Sequence, residues 1–182
     1  YKQDRTQAIP EVPFQMLTAL ELNDAAWAKI ALQGGWQMVR MNLNTFARQG
    51  VFALPGMTEA IAAKLKDADA IAKSKVFPYQ LMAAYLACSN EVPIEIREAL
   101  EDALEIALVN IPEIAGKVVV CPDVSGSMQS AVTGHRGSAS SKIRCIDVAA
   151  LIAAAVLRKN RDAMLIPFEV DVVECHLNPR DT

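Results

Sequence analysis

The sequence contains no apolar run long enough to cross a bilayer, and its first residues, Tyr1-Lys2-Gln3-Asp4-Arg5, lack the charged-then-apolar layout of a secretory signal. Neither a membrane-spanning nor an exported protein is expected, and the cytoplasm is the expected compartment. Cysteine is sparse: Cys88, Cys121, Cys145 and Cys175 stand far apart, without C-x-x-C or Cys/His ligand spacing. That excludes a disulfide scaffold or zinc module and predicts reduced, mostly buried thiols. Charge of one sign is missing too. The net charge of -3 rules out a polycation that binds nucleic acid by bulk electrostatics, so any such contact must be local. What the chain does have is 52% hydrophobic residues, enough for a packed core, in a length that could hold one domain or two small ones.

Residues 14 to 110 carry helical periodicity, with apolar residues three and four apart between punctuating Gly and Pro, but no strict internal repeat. Asn23 or Asp24 can cap a helix through Leu32 that Gly34-Gly35 stops, with Trp27, Ile30 and Ala31 on one side. A second helix is predicted from Trp36 to Gln49, ending at Gly50. A third runs from a Thr58 cap to Ala72, with Ile61, Leu65, Ala68 and Ala72 as its stripe and Lys64, Lys66 and Asp67 in water. Pro78 suits the first turn of a fourth, ending near Ser89, and a fifth follows Pro93 with Ile96, Leu100, Leu104 and Leu108 inward. Pattern alone fits a helical bundle or an α-solenoid equally well.

At Ile111-Pro112-Glu113-Ile114-Ala115-Gly116 the pattern changes. Lys117-Val118-Val119-Val120-Cys121 reads as a strand buried on both faces, residues 142–160 as a long helix, and Ala163-Met164-Leu165-Ile166 as a second strand. Strand, crossover helix and strand make a βαβ unit with a parallel sheet, and Val172 to His176 could turn back as an antiparallel edge. The expected fold class is therefore mainly α with α/β, divided at residues 1–116 and 117–182. Two or three strands cannot cover a doubly wound sheet, so a segment of a longer protein is expected.

Directly after the first strand stands Pro122-Asp123-Val124-Ser125-Gly126-Ser127-Met128. Asp123, Ser125 and Ser127 alternate, so a turning chain can aim three oxygen groups to one side, with Gly126 permitting a tight backbone. One carboxylate with two hydroxyls suits Mg²⁺, or else Mn²⁺, and leaves the ion electrophilic toward a partner's carboxylate or phosphate. An ordinary polar turn would use the same residue types, and the flanking strand and helix are what favour the metal. Enzymatic readings fail: no second carboxylate follows two residues after Asp123, and G-x-S-x-G is absent. A non-enzyme is expected. The stretch from Thr133 to Lys142 lacks the phosphate-loop order and reads as a surface loop, with Ser140 or Ser141 capping the following helix; His135 and Arg136 could touch a partner's phosphate.

The strand with Asp123-Val124-Ser125-Gly126-Ser127 resembles the metal-ion-dependent adhesion site of von Willebrand factor A domains, whose other ligands come from later loops. The site is therefore expected to be incomplete in this segment, and its Mg²⁺ affinity weak. The helical motifs Leu17-Thr18-Ala19-Leu20, Trp36 to Asn44 and Val76-Phe77-Pro78-Tyr79-Gln80-Leu81, followed by Asp123 to Met128, resemble in order the closing helices and A domain of the Ro 60 kDa autoantigen (TROVE) family. That resemblance implies a HEAT-like helical ring closed by the first βαβ of a Rossmann-like A domain. It implies an RNA-binding, monomeric ring that takes misfolded RNA and small non-coding Y RNAs with single-stranded ends, in bacterial relatives beside an exoribonuclease.

Within such a wall, Arg40, Asn42, Asn44 and Arg48 on the polar side of the Trp36 helix are the candidate RNA contacts, since cations and amides meet phosphates, riboses and unstacked bases. Lys64, Lys66, Lys73 and Lys75 form a second basic cluster, diluted by Asp67 and Asp69. The alternative function is a metal-dependent protein-docking A domain fused to an unrelated helical bundle, without RNA. A magnesium-chelatase-like subunit would need an ATPase partner that this sequence does not reveal.

Overall fold

The computed structural model describes residues 12, 14–17, 20–132 and 143–175. The chain divides into two compact units, one of residues 1–65 and 88–99, the other of residues 66–87 and 100–182.

In the first unit, Phe14 of the short α1 (Phe14–Leu17) meets Trp27 edge-on, with ring centroids 6.2 Å apart. Asn23 accepts the Ala26 N–H at 2.8 Å and opens α2 (Asp24–Gln33), and Gly34 closes it by donating to the Ile30 carbonyl at 2.8 Å. Trp27, Ile30 and Ala31 are buried as the spacing predicts. The helix expected over 36–49 is instead two, α3 (Trp36–Met41) and α4 (Leu43–Arg48). The cause is Asn42. Its side-chain Nδ2 donates to the Met38 carbonyl at 2.8 Å, the acceptor its own amide would use in a continuous helix. The Asn42 amide turns to Val39 O at 3.1 Å instead. Gly50, at φ 68, then takes the left-handed conformation that lets the chain leave α4 for a 3-10 turn at Val51–Ala53. With α5 (Met57–Leu65) and the first residues of α8 (Ile94–Ile106), these helices enclose Val39, Phe46, Val51, Ile61, Leu65 and Ile96 completely.

The expected helix over 58–72 starts earlier, so that Thr58 lies inside α5 and does not cap it, and it is also interrupted. Asp67, predicted as a solvated surface acid, accepts the Ala70 N–H at 3.0 Å and caps a new helix, α6 (Ala68–Ser74). Ala68 and Ala72 are consequently exposed, and Ile71 is the side chain that α6 buries.

In the second unit α6 is followed by α7 (Pro78–Ala87), the later turns of α8 and a 3-10 turn at Ala107–Asn110. Asn110 ties this turn to α6, its Nδ2 donating to Val76 O at 2.7 Å and Ile71 O at 3.3 Å. Two strands, β1 (Val119–Val120) and β2 (Met164–Leu165), flank the crossover helix α9 (Cys145–Lys159). They pair in parallel, Val119 against Met164 and Val120 against Leu165, as the βαβ reading requires. The ladder continues through Phe168 N to Pro122 O (3.1 Å) and Val124 N to Phe168 O (2.9 Å), delivering Asp123 to the carboxyl end of β1.

Other expectations need correction. Val119 is 48% and Met164 57% exposed, so β1 is not buried on both faces; among the described residues no further strand flanks the pair. The antiparallel return is a single bridge between Phe168 and Val172, and His176 lies outside the described residues. The N-cap of α9 is Arg144, whereas Ser140 and Ser141 lie outside the described residues. All four thiols are free, but Cys121 and Cys175 are exposed and only Cys88 and Cys145 are half-buried. Among the described residues no helix is long and apolar enough to cross a membrane.

Candidate functional site

Asp123 leaves the parallel ladder at the point where open α/β sheets place their ligands. Its Oδ1 accepts the Ser125 N–H at 2.8 Å, a tight Asx turn that swings the two following serines around the carboxylate. Ser125 Oγ and Ser127 Oγ stand 3.1 Å apart, and Gly126–Gln129 forms a 3-10 turn closed by Ser130 Oγ donating to Ser127 O at 2.6 Å. The Ser125 hydroxyl, and then its amide, hold the Asp123 carboxyl below the usual carboxylate range, so it is ionised at neutral pH. The loop thus brings together all three oxygen donors that the sequence singled out.

Two ligands on adjacent corners of an Mg²⁺ octahedron, each about 2.1 Å from the ion, are about 3.0 Å apart. The two serine hydroxyls hydrogen-bond to each other at 3.1 Å, a separation close to that edge. Among the described residues no cluster of three His, Cys, Asp or Glu side chains occurs, so an ion here would rest on hydroxyls, one carboxylate and water. Gly126 does not have the role expected of it. Its φ is not positive, and a Cβ added there would meet nothing within 4 Å.

The far side of the loop is fixed by Arg144, which sequence reasoning missed. Its guanidinium donates to Gln129 Oε1 at 2.7 Å and grips Asp147 through Nε (3.1 Å) and Nη2 (2.7 Å), while its backbone N–H donates to Asp147 Oδ2 at 2.9 Å. The Arg144-x-x-Asp147 spacing was the available signal, a charged variant of the helix-start box. Arg144 holds the Asp147 carboxyl below its ordinary value.

The candidate RNA contacts fare differently from one another. Arg40 is a correction: it is only 8% exposed, with its guanidinium carbon 5.9 Å from the Trp36 ring centroid. Trp36 and Arg40 are one turn apart, and the indole, fixed by Nε1 donating to Leu65 O at 3.0 Å, offers the cation a π face inside the unit. Asn42 is occupied in breaking the helix, and Asn44 Oδ1 accepts the Ser89 N–H at 2.9 Å, a tie across 45 residues of sequence. Arg48 is exposed, with long contacts to Asn44 O (3.4 Å) and Thr45 Oγ1 (3.3 Å). His135 and Arg136 lie outside the described residues.

Two of the four clustered lysines are also engaged. Lys64 Nζ donates to the end carbonyls of α2, Leu32 O at 2.7 Å and Ala31 O at 3.5 Å, and burial pushes its pKa down. Lys66 pairs with Asp102 at 3.4 Å on the surface.

Comparison with solved structures brings these observations together. The crystal structure of the Ro (RSR) protein of Deinococcus radiodurans matches 91% of this chain with a TM-score of 0.70, at 22% sequence identity. The fold is that of a Ro protein. The chain spans 35% of that protein's length. No family model matches the sequence, and no curated protein does.

Proposed function

We propose that this chain belongs to the RNA-binding scaffold of a small Ro-like ribonucleoprotein, which takes misfolded RNA and small non-coding Y RNAs for quality control or processing. The observation that carries the proposal is the extent of the Ro likeness, 91% of the chain at a TM-score of 0.70. In this reading the protein is a non-catalytic cytoplasmic one, monomeric and ring-shaped at full length, and an exoribonuclease is a partner. Asp123, Ser125 and Ser127 would hold Mg²⁺, with further ligands from other loops, and the ion would supply an electrophilic docking point.

The test is ultraviolet crosslinking of the full-length protein to cellular RNA with mapping of the crosslinked peptides, followed by titration with a structured RNA carrying a single-stranded tail. The expected result is recovered RNA and an affinity that falls steeply with salt. Absence of both would overturn the proposal. The convergence of Asp123, Ser125 and Ser127 favours one other reading, metal-dependent capture of an acidic protein partner, and Mg²⁺-dependent protein binding without RNA recovery would select it.

A further inference from the structure

The turn between α6 and α7 breaks two local rules within three residues. Lys75 adopts φ 51, ψ 33, the left-handed region where Gly or Asn is favoured at a helix end. Phe77 precedes the first residue of α7, where Ser, Thr, Asp or Asn would cap. Gln80 Oε1 does accept the Phe77 N–H at 3.0 Å, which is half of a capping box, but a phenyl ring cannot return the second bond. Neither choice helps the fold locally. Residues that break local preferences without a structural gain are where function is to be sought.

What the two choices achieve is display. Phe77 is 41% exposed and stacks on Tyr79, with centroids 6.5 Å apart and ring planes 20° from parallel. Lys73 and Lys75 are exposed within four residues of that ring, and among the described residues neither has an ion-pair partner. The backbone beneath is held firmly. Val76 is 2% exposed, its carbonyl accepts from Asn110 Nδ2 at 2.7 Å, its N–H donates to Ser74 Oγ at 3.3 Å, and Ser74 Oγ donates to Ile71 O at 2.8 Å. Lysines at the end of α6 would complement the helix dipole whatever the ligand. That explains their charge, but neither the strained Lys75 backbone nor an exposed aromatic at a capping position. Rigidly held aromatic rings flanked by cations are the elements with which proteins bind single-stranded nucleic acid, the ring stacking on a base and the ammonium groups meeting phosphates.

We infer that the turn spanning 73–79 is a stacking platform for unpaired bases of single-stranded RNA, Phe77 and Tyr79 providing the ring surface and Lys73 and Lys75 the phosphate contacts. The choice of RNA rests on the function proposed above.

The experiment is fluorescence anisotropy of the full-length protein with a labelled oligo-adenylate, and in parallel with a tailed structured RNA. Phe77→Ala is expected to weaken oligo-adenylate binding about tenfold and to leave its salt dependence unchanged, while Phe77→Trp retains affinity. Lys73→Ala and Lys75→Ala should each lower the slope of log affinity against log salt by about 0.7. Lys75→Gly separates the binding role from a structural one. Relief of the positive φ should raise the melting temperature, yet loss of the ammonium should weaken binding. If wild type binds tailed RNA but ignores oligo-adenylate, or if Phe77→Ala and Lys75→Gly bind oligo-adenylate as wild type does, the platform is overturned and the RNA scaffold stands. If wild type binds neither RNA, both fall.

Discussion

The helices over 36–65 and the strands at 119–120 and 164–165 use apolar residues in opposite ways. Val39, Phe46, Val51, Ile61 and Leu65 are fully enclosed, each gaining about 1.5–3 kcal/mol from burial. Val119 and Met164, of the same chemical character, remain about half in solvent at 48% and 57% exposed. A helical stripe is satisfied by neighbours on one side, whereas a parallel strand needs cover on two faces. The α/β region keeps its buried side chains at Ile143 and on α9, at Leu151, Ala153, Ala154 and Ala155, while its two strands are joined by their backbone ladder and the start of α9 by the Arg144–Asp147 clamp.

The comparison breaks most plainly at Phe46. Phe46→Ala should cost roughly 3–5 kcal/mol in urea unfolding, against less than about 1 kcal/mol for Val119→Ala. Equal losses would show that the strand is as fully packed as the helices. Trp36→Phe comes next. It removes the Nε1 bond to Leu65 O and weakens the π face over which Arg40 lies, so a loss of about 1–2 kcal/mol is expected by the same measurement.

Some helix starts and the turn at residues 123–127 were legible because each is set by a few consecutive residues, whereas Thr58 falls inside α5 and the caps at Asp67 and Arg144 were missed. Asn23 caps α2, Pro78 opens α7, and Asp123, Ser125 and Ser127 converge as their alternation implies. The helix breaks were not legible, because apolar periodicity continues across Asn42 and Asp67. What ends those helices is a side chain competing for a backbone group, a contest that spacing does not record. Arg40 was misplaced for a related reason. Pattern reading sends a cation to the polar face, and only the Trp36 ring one turn earlier hinted that it could be taken inside.

The clamp on α9 sharpens the comparison through pH. Asp147→Ala should destabilise by about 1 kcal/mol, the usual worth of a helix cap. Arg144 lowers the Asp147 pKa in the folded state from its ordinary 3.8, so the folded form is favoured when the carboxyl is ionised. This contribution is present in full above the unfolded value and is lost as pH falls through the lower folded one. Thermal melts should accordingly show the gap between wild type and Asp147→Ala closing only in acid below 3.8, and a gap that closes between pH 5 and 7 would contradict the clamp.

The smallest expected effect falls on Gly126. A glycine between Ser125 and Ser127 would be irreplaceable if the backbone there were left-handed or crowded, and it is neither, since its φ is not positive and an added Cβ meets nothing within 4 Å. Gly126→Ala should leave urea stability within about 0.5 kcal/mol of wild type, because alanine suits the 3-10 turn at Gly126–Gln129 at least as well. A loss above about 1 kcal/mol would mean that the loop depends on glycine's backbone freedom after all. If stability holds but Mg²⁺ binding to the full-length protein is lost in calorimetric titration, the glycine serves the space around the ion, and the difference between core and loop becomes one between residues selected for packing and a residue selected for room.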